Sequence, residues 1–320
     1  MLVPVLLFIA GLVMLIKGGD WFVDGASGLA HRFHVPELLI GATVVSIGTT
    51  LPEVMVSSFS AIEGSGGVAY GNAVGSVICN TALIAALTVA IRPSKVDRST
   101  FKTPVFFFFG AAAIYLAAAY FFSFTRAVGI LLLAIFFIYM TMTVLQAKKE
   151  MQAAESSDEA EQDGPLWKDI LWLVVGAVLI AVGAKLLVDN GTKIAEWLGV
   201  PDSVIGLTFV ALGTSLPELV TAISSLVKGH GALSLGNVVG ANLFNLVLVS
   251  GLSVTLSPFE LPAEKTIAGM NASLVVDLPV MVSVMALLTL PALFRGKLSR
   301  VQGIVLLAIY AGFCVFQFAI

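Results

Sequence analysis

Charge is scarce in this 320-residue sequence: Asp, Glu, Lys and Arg make up 12% of it, about half the share of an ordinary soluble domain. Hydrophobic residues make up 58%, and the mean hydropathy is +1.00. So apolar a chain needs lipid around it, which excludes a water-soluble globular domain. Cysteine is nearly absent. Cys79 and Cys314 both sit in apolar runs, which points to small buried hydrophobes and excludes a disulfide framework. The three histidines, His31, His34 and His230, lie at the ends of apolar runs, so a membrane metalloenzyme would lack its usual nitrogen and sulfur ligands. The net charge of −3 argues for no charged macromolecule, and no nucleic-acid partner is expected. The N-terminus is apolar from Met1 without a basic leader, so the first segment reads as a retained helix and not a cleaved signal.

What the chain has is long apolar runs. A membrane span takes about 20 such residues, and ten segments qualify, near 2–24, 38–62, 69–91, 103–122, 127–147, 169–190, 203–227, 233–257, 270–294 and 301–320. The expected class is therefore an all-α membrane protein. Of the seventeen Lys and Arg, twelve fall in one set of alternate loops, among them Arg32, Arg92, Lys95, Lys228 and Lys297. Only Arg126, Lys193 and Lys265 fall in the other set. The excess of positive charge on cytoplasmic loops then places both termini outside, in a multi-pass cell-membrane protein. The stretch from Lys148 to Gly164 is the one long hydrophilic connection; its acids lack the spacing and glycine of a Ca2+-binding loop, so it reads as a solvated cytoplasmic linker.

Shifted by 165 positions, the sequence matches itself. Gly11 meets Gly176, Gly18 meets Gly183, and Val35-Pro36 meets Val200-Pro201. The run from Gly41 to Glu53, ending Gly-Thr-Thr-Leu-Pro-Glu, meets the run from Gly206 to Glu218, ending Gly-Thr-Ser-Leu-Pro-Glu. Gly71-Asn72 meets Gly236-Asn237, and Asn80 meets Asn245. The expected units are a first five-helix repeat over 1–147, an acidic linker over 148–168 and a second five-helix repeat over 169–320. Five spans is an odd number, so the second repeat must enter the membrane from the opposite side. That makes the repeats inverted, the plan of secondary transporters whose substrate site lies near the midplane between them.

Glu53 and Glu218 lie mid-segment in spans 2 and 7, where a carboxylate costs at least a few kcal/mol and is seldom kept without a use. No Lys or Arg in spans 2, 3, 7 or 8 can pair with either. Pro52 and Pro217 precede them and remove the backbone donors that would bond the carbonyls of Gly48 and Gly213. Broken helix is tolerated at membrane depth where it lines a cavity. Each repeat thus offers a carboxylate, backbone carbonyls and the hydroxyls of Thr49 and Thr50, or of Thr214 and Ser215. This is an all-oxygen set, suited to hard cations such as Ca2+ or Na+. Ser76 and Asn80 share one face of span 3, and Asn245 occupies the matching place in span 8.

On these motifs, with Gly-Asn-Ala-Val-Gly-Ser and Gly-Asn-Val-Val-Gly-Ala, the chain resembles the Ca2+/cation antiporter superfamily, in its prokaryotic sodium/calcium exchanger-like form. The resemblance implies ten transmembrane helices in two inverted five-helix repeats. It also implies a Ca2+ site of Glu53, Glu218 and the carbonyls of Thr49 and Thr214, with Ser76, Asn80 and Asn245 in the surrounding ion sites. Two positions depart from the sodium/calcium pattern. Ala241 stands where Ser is usual, and Asn245 where Asp is frequent. Both changes weaken a Na+ site, which favours Ca2+/H+ exchange, as in the cation/proton exchanger branch of the superfamily. Against that branch stands the Gly-Thr-x-Leu-Pro-Glu motif, which keeps Na+/Ca2+ exchange as the alternative. A cation channel is a further rival, but channels usually surround an axis along the membrane normal. The expected partners are the bilayer, Ca2+ and a monovalent counter-ion; no cofactor, enzymatic activity or obligatory protein partner is expected. Asp277 in span 9 has no role in this reading.

Overall fold

The computed structural model describes residues 2–121, 123–155, 165–198, 213–262 and 266–319. Among the described residues ten helices follow one another: α1 (Leu2–Arg32), α2 (Glu37–Ile62), α3 (Gly66–Ile91), α4 (Arg98–Tyr120), α5 (Arg126–Glu155), α6 (Leu166–Trp197), α7 (Leu216–Lys228), α8 (Gly231–Leu256), α9 (Ser273–Arg295) and α10 (Arg300–Ala319). Nine of them, among the described residues, are long and apolar enough to cross a membrane. The segment expected at 203–227 is described only from Gly213 onward, and its helix α7 spans Leu216–Lys228. Helix α5 continues to Glu155, so the first part of the expected linker is helical, while 156–164 lies outside the described residues.

Local chemistry sets the ends of these helices. Asp97 caps α4 by accepting a 3.0 Å hydrogen bond from the Ser99 backbone. Gly229, at φ 89°, and Gly296, at φ 65°, close α7 and α9 in the left-handed conformation that glycine adopts without strain. Arginines cap exposed carbonyls: Arg92 donates to Leu226 O, Arg98 to Phe294 O and Arg300 to Ile91 O. An antiparallel bridge between Lys95 and Lys297 joins two of the basic loops. Lys228 pairs with Asp24 at 2.7 Å, and Arg32 with Asp169 at 2.9 Å. The loops expected to share the basic side do meet at one end of the bundle. At the other end, β1 (Ser123–Phe124) pairs with β2 (Phe259–Glu260), and β3 (Thr266–Ile267) with β4 (Met270–Asn271).

Helices α2, α3 and α8 carry the deepest residues, and α8 is the most enclosed, with 83% of its apolar window buried. Helices α1 and α6 pack together along one side. Their contact displays the inversion directly. A Cβ on Gly11 would lie 2.8 Å from Gly183 O, and one on Gly183 would lie 2.8 Å from Gly11 O. Gly18 and Gly176 face each other in the same reciprocal way, at 3.0 and 2.8 Å. Since Gly11 matches Gly176 and Gly18 matches Gly183 in the repeat, each glycine meets its partner's equivalent across a two-fold axis between antiparallel helices. Such small-residue crossings let backbones touch in lipid. Gly183→Val is expected to cost about 1–3 kcal/mol by overpacking. A thermal melt in detergent unchanged by it would contradict this crossing.

Candidate functional site

Glu53 lies on α2, two turns from its end, and Glu218 in the first turn of α7. Both are completely buried, and their carboxylates are close enough to interact electrostatically. The two repeats present them differently. Helix α2 runs on through Pro52 without the break expected there, its irregular turn lying upstream as a π-turn over Gly41–Val45. One lost backbone bond is tolerated where neighbouring helices support the turn, and Phe22 of α1 packs on Gly48 beside that bond. In the second repeat, Thr214 and Ser215 form a turn and α7 begins just before Pro217, a position where proline lacks no helical bond. Glu218 therefore sits at a helix N-terminus, whose free N–H groups favour negative charge.

Helices α3 and α8 complete the enclosure. Asn80 opens a π-turn over Asn80–Ala85 that packs on α7, and Asn245 opens one over Asn245–Val249 that packs on α2. Each repeat's asparagine-bearing turn thus packs on the other repeat's glutamate-bearing helix. π-turns of this kind are frequent at functional sites. Thr49, Thr50, Ser215 and Ser76 are buried as well, and Thr214 is half-buried.

The hydrogen bonds divide these residues into two sets. Among the described residues, both carboxylate oxygens of Glu53 and Glu218, both amide groups of Asn80 and Asn245, and the hydroxyls of Thr50 and Ser215 have no partner. They are three pairs related by the 165-residue repeat. A buried polar group without a partner costs about 1–3 kcal/mol and calls for an explanation. Six such residues, two carboxylates, two amides and two hydroxyls, form a set rich in hard oxygen atoms.

The second set holds the first in place. Thr49 Oγ1 donates to Asn237 Oδ1 at 3.2 Å, and Thr214 Oγ1 donates to Asn72 Oδ1 at 3.4 Å. These bonds cross between repeats and are exact images of one another, since Thr214 matches Thr49 and Asn237 matches Asn72. Asn72 also donates to Glu53 O at 3.2 Å and to Ser57 Oγ at 2.9 Å. Ser57 has Ala222 as its counterpart, and Asn237 Nδ2 accordingly has no partner among the described residues. Ser46 donates to Asn237 O at 3.0 Å. Sequence reasoning assigned no site role to Asn72, Asn237, Ser46 or Ser57. The recurrence of Gly71-Asn72 as Gly236-Asn237 was the available signal for the asparagines.

The histidines lie elsewhere: His230, before α8, bonds Glu37 Oε1 at 2.6 Å, and His31 ends α1 near the same carboxylate. Cys79 and Cys314 are free thiols. Asp277 ends a π-turn at the start of α9 and accepts a 2.7 Å hydrogen bond from Gln317.

Comparison with known proteins gives a consistent picture. The family described as sodium/calcium exchanger protein matches residues 3–145 and 168–319. The chain is 35% identical over 324 residues to the putative antiporter CaxA of Alkalimonas amylolytica, covering 98% of each chain. It is 32% identical over 352 residues to the sodium/calcium exchanger MaX1 of Methanosarcina acetivorans, again covering 98% of each. Among solved structures it resembles the sodium-calcium exchanger NCX_Mj soaked with Na+ and Sr2+, with a TM-score of 0.81 and 34% identity over 97% of both chains.

Proposed function

Because this chain belongs to the sodium/calcium exchanger protein family, within the Ca2+/cation antiporter superfamily, we propose that it exchanges Ca2+ for H+ by alternating access through Glu53 and Glu218. The observation that carries this reading is the set of repeat-related, unpartnered oxygens at Glu53/Glu218, Asn80/Asn245 and Thr50/Ser215. Two carboxylates match the two charges of Ca2+. The carbonyls of Thr49 and Thr214 and the neutral side chains, with Ser76 nearby, fill out the six to eight oxygens Ca2+ takes at about 2.3–2.6 Å. Thr49 and Thr214 are held by Asn237 and Asn72, which keeps the two halves of the site in register.

Exchange follows from electrostatics. Two bare carboxylates are too costly to carry through a dry barrier. The site moves only when neutralised, by one Ca2+ or by competing monovalent cations, so occupancy itself couples the two flows. Ala241 and Asn245, both fully buried, remove a hydroxyl and a third carboxylate from where a Na+ ion would find them, and the proton needs neither. A second reading, Na+/Ca2+ exchange at the same site, is favoured by the sodium/calcium exchangers to which the chain is similar. In this proposal the halves 1–147 and 169–320 act as the inverted units, the protein resides in the cell membrane, and both termini lie outside.

The deciding experiment is Ca2+ flux in proteoliposomes with Na+ and H+ gradients imposed in turn. A pH gradient alone is expected to drive Ca2+ movement in Na+-free medium. The double substitution Ala241→Ser with Asn245→Asp is expected to raise any Na+ dependence. Flux that needs Na+ and ignores pH would replace the H+ reading by the Na+ one; no Ca2+ flux under either gradient would remove both.

A further inference from the structure

A second cavity, of about 310 Å3, lies between the start of α3, the start of α9 and the end of α10. Its walls are largely apolar, with Val74, Phe313 and Phe316, and α3 contributes Gly71 and Gly75, which leave it room. Four polar residues converge on it: Asp277, Gln317, Ser273 and Tyr70. Gln317 Nε2 donates to Asp277 Oδ1 at 2.7 Å and so orients the carboxylate. The Ser273–Asp277 π-turn widens the first turn of α9 at this point. Tyr70 is only 3% exposed, and its hydroxyl has no hydrogen-bond partner among the described residues. That hydroxyl lies beside Ser273 and within electrostatic reach of Asp277.

We propose that this cavity is a second cation site, in which Asp277, Tyr70, Ser273 and Gln317 hold a partly hydrated hard cation outside the Glu53/Glu218 centre. The donors are all oxygen, which selects Ca2+ or another hard ion over soft metals. With one carboxylate, protein oxygens supply only part of the six to eight ligands of Ca2+, and water supplies the rest. The cavity has room for several waters. Such a site binds weakly and releases quickly, which suits collecting ions and not storing them. Its position fits that use. Helix α3 lines the cavity from Gly67 to Ile78 and carries Asn80 two residues further on. The cavity lies at the end of the bundle opposite the basic loops. Only the identity of the ion as Ca2+ rests on the proposed function.

The test is made on the full chain in detergent, with Glu53→Gln and Glu218→Gln combined to remove the central pair. Tb3+ stands in for Ca2+, and its emission on tyrosine excitation reports an ion near a phenol. The double variant is expected to show saturable Tb3+ emission that Ca2+ displaces. Adding Asp277→Asn is expected to weaken that binding by about tenfold or more, because ligand charge sets the affinity of oxygen sites. Asp277→Glu is expected to keep it. If Asp277→Asn does not yield a monodisperse protein, Gln317→Glu supplies the converse measurement, tightening Ca2+ about tenfold by adding a charge. Absence of saturable emission in the double variant, or affinities indifferent to residues 277 and 317, would overturn the proposal. The assay involves no transport, so a failure of the exchange reading leaves its outcome independent.

Discussion

Ca2+ exchange by Glu53→Gln or by Glu218→Gln is expected to fall to the level of empty liposomes. Glutamine keeps the shape of glutamate and its capacity to accept hydrogen bonds but carries no charge. One remaining carboxylate would then face a divalent ion in a centre where both residues are fully buried. Removing one partner of a buried charge pair costs about 3–5 kcal/mol, or at least about a hundredfold in affinity. Loss of folding would not account for the result, because the sign of the stability change is opposite. Without a bound cation, two carboxylates buried together must either repel one another or take up protons, both of which oppose folding near neutral pH, and glutamine relieves part of that cost. Each variant is therefore expected to melt no lower than the parent in Ca2+-free buffer. The rise in melting temperature on adding Ca2+, which reports binding to the folded state, is expected to disappear. Near-normal flux in both variants would sink the site assignment.

Gly71→Leu and Gly236→Leu, equivalent positions in the two repeats, are expected to fail in different ways. Gly236 lies against the Leu38 carbonyl of α2, and any Cβ there would collide with backbone. Gly240 is similarly crowded, by Ala42 and Ser46. Leucine at 236 is expected to prise α2 from α8, at an overpacking cost of about 3 kcal/mol or more, and to lower both the yield of folded protein and transport. A Cβ on Gly71 meets nothing within 4 Å among the described residues, and Gly75 is equally open. Leucine at 71 is therefore expected to leave the melting temperature within about 2 °C of the parent's, as surface substitutions usually do. If the repeats exchange roles during alternating access, the face of Gly71 must close as tightly as that of Gly236 does here. Transport by Gly71→Leu is then expected to drop about tenfold or more, since a block of about 1.4 kcal/mol on one state suffices. Normal transport by Gly71→Leu would argue against an exchange of roles between the repeats.

Much of this protein was legible in its sequence because lipid enforces a simple code. Every backbone group must be satisfied within the membrane, so spans appear as apolar runs of fixed length. A repeat of odd span number can only be inverted. An acid in such a run without a basic partner, recurring at the same place in both repeats, singled out Glu53 and Glu218 as site candidates. The tertiary structure decided which residues face which. A repeat offset states that Thr49 and Thr214 are equivalent; it does not state that each bonds the other half's asparagine, Asn237 or Asn72. That depends on where the two-fold axis passes, which is a property of packing in three dimensions. The helix through Pro52 is a similar case, since the neighbours that support it belong to other elements. The difference between Gly71 and Gly236 is the clearest example. Their local sequences are nearly the same, and their surroundings differ because a two-fold related sequence can adopt an arrangement in which the two ends are packed unequally.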